Sequence, residues 1–304
     1  MDQATLFLRV DATPAIGAGH GMRMAALAGA WQAGGLGPVR CAGLLSIPFV
    51  RERFDALGIL PEPARTPAPA GAVLVTDSYD PAAREAGRSC AAAALRVLVD
   101  DGNGIVPTGY DVIWWPAPFG NPARYSEVSG QVITGEDAVP LRSGLPHWEP
   151  NRSGRTAITL GGGEVPEVLA DAMASLADAA WWTAFSATGG WVPERWHRIA
   201  PARIWSSVVQ CDRLLVAGGV SAMEAAAVGI PAVVLAFADN QLATLEWARQ
   251  AGVPTVDAVR VTDSALLAAA LEQALRAARP LPHLTDGSAR VAAQLAAYTS
   301  RVAA

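Results

Sequence analysis

Short apolar segments alternate with alanine-rich segments along the whole chain, and this alternation most constrains the fold. The pattern is typical of βαβ units, in which each buried strand is followed by a helix that packs on a parallel sheet. It runs in two series, separated by a proline- and glycine-rich stretch at residues 140–154. We therefore predict an α/β protein of two doubly wound domains, residues 1–148 and 149–304, whose parallel sheets face a central cleft.

The predicted elements place the loops in which function is expected. Strands of the first series are expected at residues 6–10, 39–44, 72–76, 95–99 and 112–115, with helices at 22–32 and 48–57. Strands of the second series are expected at residues 156–160, 182–185, 214–217 and 232–235, and a last helix around 291–302 is free to pack back on the first domain. Ligands of such sheets bind at the carboxyl ends of the strands, so the strand-to-helix loops are the candidates.

Composition excludes several classes of function. All 23 basic residues are arginine, which rules out lysine Schiff-base chemistry and the lysine of a Walker phosphate loop. A net charge of −5 argues against nucleic acid as a partner. We therefore expect the partner to be a small-molecule substrate.

The sequence also bears on cofactors and location. Cysteines and histidines do not cluster at metal-ligand spacing, and no Asp-x-Asp occurs, so no metal and no other cofactor is expected. No apolar run approaches the roughly 18 residues of a membrane span. The N-terminal residues resemble a strand rather than a signal peptide, so the expected location is the cytoplasm.

The loop IGAGHGMR follows the first predicted strand. Gly17 and Gly19 let backbone amides face a ligand, but Met22 replaces the third glycine of a dinucleotide fingerprint, which disfavours a nicotinamide cofactor. His20 lies at or near a helix N-terminus, where the helix dipole keeps the imidazole neutral and available as a base. The alternative is a histidine that only caps the helix. Arg23 is placed to hold a carboxylate of another loop or an anion of the substrate.

Glycine-rich loops also follow two strands of the second series. AGGVSAME opens a helix whose amides suit a diphosphate, and its glutamate, expected in the first helical turn, suits the hydroxyls of a ribose. LGGGE repeats the design, with close packing as the alternative reading. The candidate nucleotide- and diphosphate-binding residues are Gly17, Gly19, Gly161, Gly162, Gly218, Gly219, Ser221 and Glu224.

Other polar and aromatic residues stand at predicted strand ends. ADNQ, residues 238–241, offers helix caps or ligand contacts, and capping is expected to explain at least one of its side chains. Asp100 and Asp101 are adjacent and point in different directions, so only one of them is expected to face the ligand. Trp114, Trp115 and Phe119 are candidates for an aromatic wall that binds a sugar, with ordinary packing as the alternative.

Six ordered blocks of the chain resemble the UDP-sugar hydrolases of pseudaminic acid biosynthesis (PseG-like), which release UDP from a diacetamido-trideoxy-altrose. The blocks are LRVDATPAIGAGHGMR, VLVTDSY, VLVDDGN, VITGEDAVPLR, TAITLGGGE and LLVAGGVSAMEAAAVGIPAVVLAFADNQ. This family is related to the MurG-type glycosyltransferases. The resemblance implies a GT-B-like fold of two Rossmann-like domains, a metal-independent reaction, and UDP held mainly by the second domain.

The resemblance also implies roles for particular residues. His20 is similar to the catalytic histidine, which works with a water that attacks the anomeric carbon with inversion, and Arg23 lies beside it. The first domain then takes the sugar and catalytic side, and the second takes the nucleotide. The sugar-side candidates are Asp11, Asp77, Tyr79, Asp239, Asn240 and Gln241.

Departures from the family pattern keep other functions open. WWPA stands at residues 114–117 in place of a polar run, GGVSA replaces a hydroxyl-rich run, and Glu164 follows the glycines of LGGGE in place of an aspartate. These changes indicate an altered substrate pocket. The alternatives are a glycosyltransferase on the same fold, a divergent hydrolase of another nucleotide-linked metabolite, and a protein that binds a nucleotide sugar without turning it over.

Overall fold

The computed structural model describes residues 3–102, 108–127, 130–161, 165–176, 182–183 and 199–302. The chain forms two compact units, one of Met1–Ser143 with Thr285–Ala304 and one of Gly144–Leu284. The first segment therefore ends at Ser143, whereas we expected it to end at residue 148. The last helix belongs to the first unit rather than to the second, because it packs against the first helix of the chain.

The described strands and helices alternate as the sequence predicts. The strands are β1 Leu6–Val10, β2 Val39–Ala42, β3 Val73–Asp77, β4 Leu95–Val99, β5 Val112–Trp114, β6 Gln131–Ile133, β7 Thr156–Thr159, β8 Trp182–Thr183, β9 Arg213–Ala217, β10 Pro231–Ala236, β11 Thr255–Asp257 and β12 Arg279–Pro280. The helices are α1 Gly19–Ala33, α2 Pro48–Ala56, α3 Pro81–Arg88, α4 Glu167–Ser175, α5 Ile204–Val208, α6 Val220–Val228, α7 Leu242–Gln250, α8 Ser264–Arg276 and α9 Ser288–Val302.

The first unit is built on a parallel sheet in the order β2-β1-β3-β4-β5-β6. Every residue of β1 and β3 is buried, as expected of strands covered on both faces. Their register pairs Leu6 with Val73 and Val10 with Asp77, so the two strands end level. The loops that leave them therefore start side by side at one edge of the sheet.

Close packing of α1 on this sheet depends on Gly21. A Cβ at this position would lie 2.3 Å from Val50 Cγ1 and 3.1 Å from Ala12 Cβ. A side chain larger than hydrogen would therefore push the start of α1 away from α2 and from the end of β1.

The second unit has a sheet in the order β11-β10-β9-β7-β8, parallel throughout, with β12 added antiparallel to β10. Its core joins apolar residues of β7, β9 and β10 to those of α4 and α8. The predicted strand at 182–185 is described only over Trp182–Thr183, and the rest of it lies outside the described residues. In the described part of the chain, no helix combines the length and apolar character that a membrane span requires.

Candidate active site

His20 is the second residue of α1, near the helix N-terminus as the sequence predicts. The helix begins after a turn in which the Gly17 amide donates to the Thr13 carbonyl at 2.7 Å, and Gly17 has a φ of 93° that favours glycine. Ala18 is the N-cap residue and provides no side-chain cap. The imidazole is 6% exposed, so it is held in the protein interior rather than on the surface.

Two carboxylates face the two ring nitrogens of His20. Nδ1 lies 3.3 Å from Asp77 Oδ1, and Nε2 lies 3.8 Å from Asp101 Oδ2. Among the described residues, Nδ1 has no aligned hydrogen-bond partner, so the contact with Asp77 is electrostatic. Both ring nitrogens therefore face carboxylate oxygens rather than solvent.

Arg23 binds both of these carboxylates. Its Nε and Nη2 donate to Asp77 Oδ2 and Oδ1, each at 2.6 Å, and its Nη1 donates to Asp101 Oδ1 at 2.5 Å. Burial alone lowers the pKa of Arg23, but the charges of Asp101 and Asp77 outweigh it and hold this pKa well above its usual value. The guanidinium is therefore a permanent cation between two strand ends, and the expected carboxylate partners of Arg23 lie within its own unit.

Asp101 is the most connected carboxylate of the cluster. Besides Arg23 and His20, it accepts a hydrogen bond from Tyr79 Oη at 2.6 Å, and the Tyr79 ring meets the His20 ring edge-on with centroids 4.5 Å apart. Burial raises the pKa of Asp101, but the charge and hydrogen bonds of Arg23, the charge of His20 and the Tyr79 hydrogen bond lower it well below its usual range. Asp101 is therefore a carboxylate at neutral pH.

Two residues expected on the sugar side are instead buried and bonded within the protein. Asp77 is 1% exposed, and both of its oxygens accept from Arg23. Asp11 is 8% exposed and accepts from the Leu44 amide at 2.9 Å and from Ser78 Oγ at 2.5 Å. Tyr79 is 37% exposed, so of these three first-unit candidates it alone presents much of its surface to solvent.

Asp100 and Asp101 point in different directions, as the sequence predicts. Asp100 Oδ2 accepts from Tyr125 Oη at 2.5 Å, away from the Arg23 cluster. Trp114 is fully buried and donates to the Ala138 carbonyl at 2.9 Å, and Trp115 packs edge-on against Tyr125. The two tryptophans are core residues, so packing and not an aromatic wall explains them.

In the second unit, the two glycines between β9 and α6 have different surroundings. A Cβ at Gly218 would lie 2.8 Å from the Gln241 carbonyl oxygen, so this glycine lets the loop after β9 touch the loop after β10. Among the described residues, no atom lies within 4 Å of a Cβ at Gly219. Ser221 is in the first turn of α6, whose N-cap has no side-chain hydrogen bond. The first amides of α6 lie beside these residues, with the positive end of the helix dipole.

We expected Glu224 in the first turn of α6. The helix begins at Val220, so Glu224 lies just past that turn. The carboxylate is 1% exposed, and Oε2 accepts a hydrogen bond from Trp205 Nε1 at 2.8 Å. Trp205 comes from α5 and could not be paired with Glu224 from sequence alone. Contact of Glu224 with a ribose stays a prediction.

The remaining second-unit candidates lie in neighbouring loops. Gly161 follows β7 with a φ of 76°, while Gly162 and Glu164 are outside the described residues. Asp239–Gln241 is a 3₁₀ turn in which Asp239 and Asn240 are exposed. We expected at least one of these side chains to cap a helix, and this prediction was wrong, because neither this turn nor α7 has a side-chain cap among the described residues. Gln241 Oε1 instead accepts a hydrogen bond from the Phe237 amide at 2.8 Å.

The structure thus groups His20, Arg23, Asp77, Tyr79 and Asp101 in the first unit, and gathers the glycine loops at the carboxyl edge of the second sheet. The sequence predicts that one of Asp100 and Asp101 faces the ligand, but which of them joins the first group depends on the strand register. Within the described ranges, no cluster of His, Cys, Asp and Glu is arranged to hold a metal ion, and metal independence stays a prediction.

Comparisons with known proteins bear on the fold. The chain matches no protein-family model and no curated protein sequence. Its structure is similar to the spinosyn rhamnosyltransferase SpnG complexed with spinosyn aglycone, with a TM-score of 0.58, 18% identity, and coverage of 98% of this chain and 96% of that one. A second SpnG structure, complexed with thymidine diphosphate, gives a TM-score of 0.55 at 17% identity, over 98% and 96% of the two chains.

Two further structures agree with this likeness. The spinosyn forosaminyltransferase SpnP gives a TM-score of 0.55 at 14% identity, over 100% of this chain and 95% of that one. The glycotransferase of kitacinnamycin gives 0.55 at 16% identity, over 98% and 95%. At these identities the structural similarity shows the fold alone. It gives no support to the expected hydrolase family. The chain has the GT-B-like α/β fold of these glycosyltransferases, with two Rossmann-like units.

Proposed function

We propose that this protein transfers the glycosyl group of a nucleotide sugar to a hydroxyl group, with His20 as the base. The observation that carries the proposal is the buried His20 imidazole between the Asp77 and Asp101 carboxylates. A histidine within reach of a carboxylate is the usual arrangement of a general base that removes a proton from an oxygen nucleophile. The fold shared with SpnG, whose structures hold thymidine diphosphate and an aglycone, supports the choice of donor and acceptor.

The proposed step is a single displacement at the anomeric carbon. The acceptor oxygen forms the new bond while the bond between the anomeric carbon and the diphosphate oxygen breaks, and its electron pair stays on the departing nucleoside diphosphate. The acceptor proton passes to His20 Nε2, because Nδ1 is buried against Asp77. Asp77 and Asp101 stabilise the imidazolium that forms, and the anomeric configuration inverts.

The second unit is proposed to hold the nucleotide, with the diphosphate on the amides around Gly218, Gly219 and Ser221. Amides at a helix N-terminus bind anions and stabilise charge that grows on a leaving group, so the step needs no metal ion. The open space that the described residues leave around a Cβ at Gly219 supports a close approach there. Glu224 is proposed to bind the ribose, and Asn240 lies in the neighbouring exposed turn suited to the sugar.

Hydrolysis of the same donor is the second candidate. The observation that favours it is the 6% exposure of His20, which admits a water molecule more readily than a bulky acceptor. Water would then take the place of the acceptor hydroxyl in the same displacement. The glycosyltransferases of similar fold favour transfer over hydrolysis. The same test decides whether the base of the nucleotide is uracil or thymine.

The test is to incubate the protein with a panel of UDP- and TDP-sugars, with and without hydroxyl acceptors, in the presence of EDTA. Mass spectrometry of the products distinguishes a glycosylated acceptor from a free sugar. The proposal expects release of nucleoside diphosphate that depends on the acceptor, and a product whose anomeric configuration is inverted. The activity should be lost in His20→Ala but kept in His283→Ala, because His283 is exposed. Release without acceptor would select hydrolysis, and binding without turnover of any donor would reject both enzymatic readings.

A further inference from the structure

A hydrogen bond between Asp11 and Ser78 joins the segment that leads from β1 to His20 with the segment that follows Asp77. Ser78 Oγ donates to Asp11 Oδ2 at 2.5 Å, and the Leu44 amide donates to Asp11 Oδ1 at 2.9 Å. Both partners are buried, with Ser78 1% exposed and Asp11 8% exposed. One carboxylate therefore ties together the chain segments that leave β1, β2 and β3.

The position of this bond in the chain relates it to the base. Asp11 is the first residue after β1 and opens the segment that leads to His20, while Ser78 directly follows Asp77 at the end of β3. The register pairs Val10 with Asp77, so Asp11 and Ser78 follow side by side at the same sheet edge. A relative shift of these two segments would alter the 3.3 Å distance between His20 Nδ1 and Asp77 Oδ1.

Charge and burial make the bond suited to this task. A hydroxyl-to-carboxylate hydrogen bond is charge-assisted and roughly twice as strong as a neutral one. Loss of the Ser78 hydroxyl would leave one oxygen of a buried carboxylate without this donor, which is costly for a buried charged group. Ser78 Oγ also accepts from the Asp80 amide at 3.0 Å, so the hydroxyl is oriented by the start of the segment that enters α3.

We propose that Asp11 and Ser78 are positioning residues for the reaction, an inference that rests on the proposed function. They set the spacing between the imidazole of His20 and the carboxylate of Asp77. They act through these two groups rather than on the substrate, which differs from the sugar contact expected of Asp11 from the sequence. Proton transfer is sensitive to this spacing, since a displacement of about 1 Å can reduce a rate by roughly 100-fold.

Ser78→Ala tests the inference, with Ser288→Ala as a matched control. Ser288 is also 1% exposed, its Oγ donates to Asp286 Oδ1 at 2.6 Å, and Asp286 likewise accepts a backbone amide, from Leu141 at 2.9 Å. The control therefore removes a hydroxyl-to-carboxylate bond of the same unit whose carboxylate, unlike that of Asp11, is exposed and close in sequence. Ser78→Thr keeps the hydroxyl, and the milder Asp11→Asn provides a second variant if Ser78→Ala does not fold.

Two readouts separate positioning from mere stability. The imidazole NMR signals of His20, assigned by comparison with His20→Ala, need no substrate, and we expect them to shift in Ser78→Ala or Asp11→Asn but not in Ser288→Ala. In the transfer assay, we expect kcat to fall roughly 10-fold or more in Ser78→Ala with KM little changed, and to recover in Ser78→Thr. Equal effects of Ser78→Ala and Ser288→Ala on both readouts would overturn the inference.

The two proposals fail in distinguishable ways. If no nucleotide sugar is turned over but the His20 signals move only in the Ser78 and Asp11 variants, the positioning role holds and the proposed function is wrong. If wild-type turnover is found and the His20 signals and kcat of Ser78→Ala match those of Ser288→Ala, the proposed function stands and the positioning role is wrong.

Discussion

Arg23 and Asp77 form a bidentate ion pair in which two guanidinium nitrogens donate to two carboxylate oxygens, both at 2.6 Å. The same guanidinium binds Asp101, so one buried cation holds the ends of β3 and β4 against α1. A planar fork of this kind matches carboxylates in a way that a lysine ammonium does not. The pair is thus central to the arrangement of negative charge around His20.

Arg23→Ala should destabilise the protein by about 3–5 kcal/mol, because it leaves the buried carboxylate of Asp77 and the partly buried carboxylate of Asp101 without their cation. Arg23→Lys keeps the charge but not the fork, so its loss should be intermediate. Urea unfolding measures both changes. The half-exposed pair of Arg88 with Glu85 provides the control, and Arg88→Ala should change the free energy of unfolding little. An Arg23→Ala protein as stable as the wild type would contradict the role assigned to this ion pair.

Asp101 should make stability depend on pH in the acid range. Its pKa is held well below its usual range in the folded protein, so the unfolded chain binds the proton more tightly. Stability from this group is therefore complete above about pH 5 and falls as the pH drops below about 4, towards the folded pKa. Urea unfolding at a series of pH values should show a smaller acid loss for Asp101→Asn than for wild type, and equal losses would count against the prediction.

Gly218→Ala and Gly219→Ala should separate stability from ligand binding. At Gly218 the added methyl meets the Gln241 carbonyl oxygen at 2.8 Å, so stability should fall by roughly 1–3 kcal/mol. At Gly219 it meets no atom of the described residues within 4 Å, so thermal unfolding should change little while calorimetry shows weaker binding of UDP or TDP. If Gly219→Ala binds the nucleoside diphosphate as tightly as wild type, the diphosphate does not lie there.

Trp205→Phe should affect the second unit through Glu224. Removal of the indole N–H leaves the buried Glu224 Oε2 without this donor, at a cost of about 1–3 kcal/mol. If Glu224 binds the ribose, the variant should also weaken UDP more than 2′-deoxy-UDP in calorimetric titrations. Equal weakening of the two nucleotides would assign Glu224 a structural role only.

The sheet cores could be predicted from sequence because both faces of these strands are covered. Residues 6–10 and 95–99 were predicted as strands with the bounds that the structure has. β6, β11 and β12 were missed, because these short strands are partly or fully exposed and lack the apolar run of the equally short but buried β5. The start of α1 at Gly19 was also missed, since glycines inside a helical turn weaken the local helix signal.

The site was only partly predictable, since its members meet through strand register. His20 was placed correctly at the start of a helix, because a glycine-rich loop after a strand has few alternatives. That Arg23 would bind Asp77 and Asp101 together depends on how β3 and β4 end relative to α1. The polar run Asp77, Ser78, Tyr79 is a sequence signal for such a junction, since its three side chains bond to helix α1, to the segment after β1 and to the segment after β4.

The most direct test of the account is the rate of nucleoside diphosphate release from the preferred nucleotide sugar, measured in ¹⁸O-water with and without acceptor. We predict acceptor-dependent release, an unlabelled glycosylated product, and a loss of roughly 100-fold or more in His20→Ala while His283→Ala remains active. Release that is unchanged in His20→Ala would contradict the assignment of His20 as the base between Asp77 and Asp101.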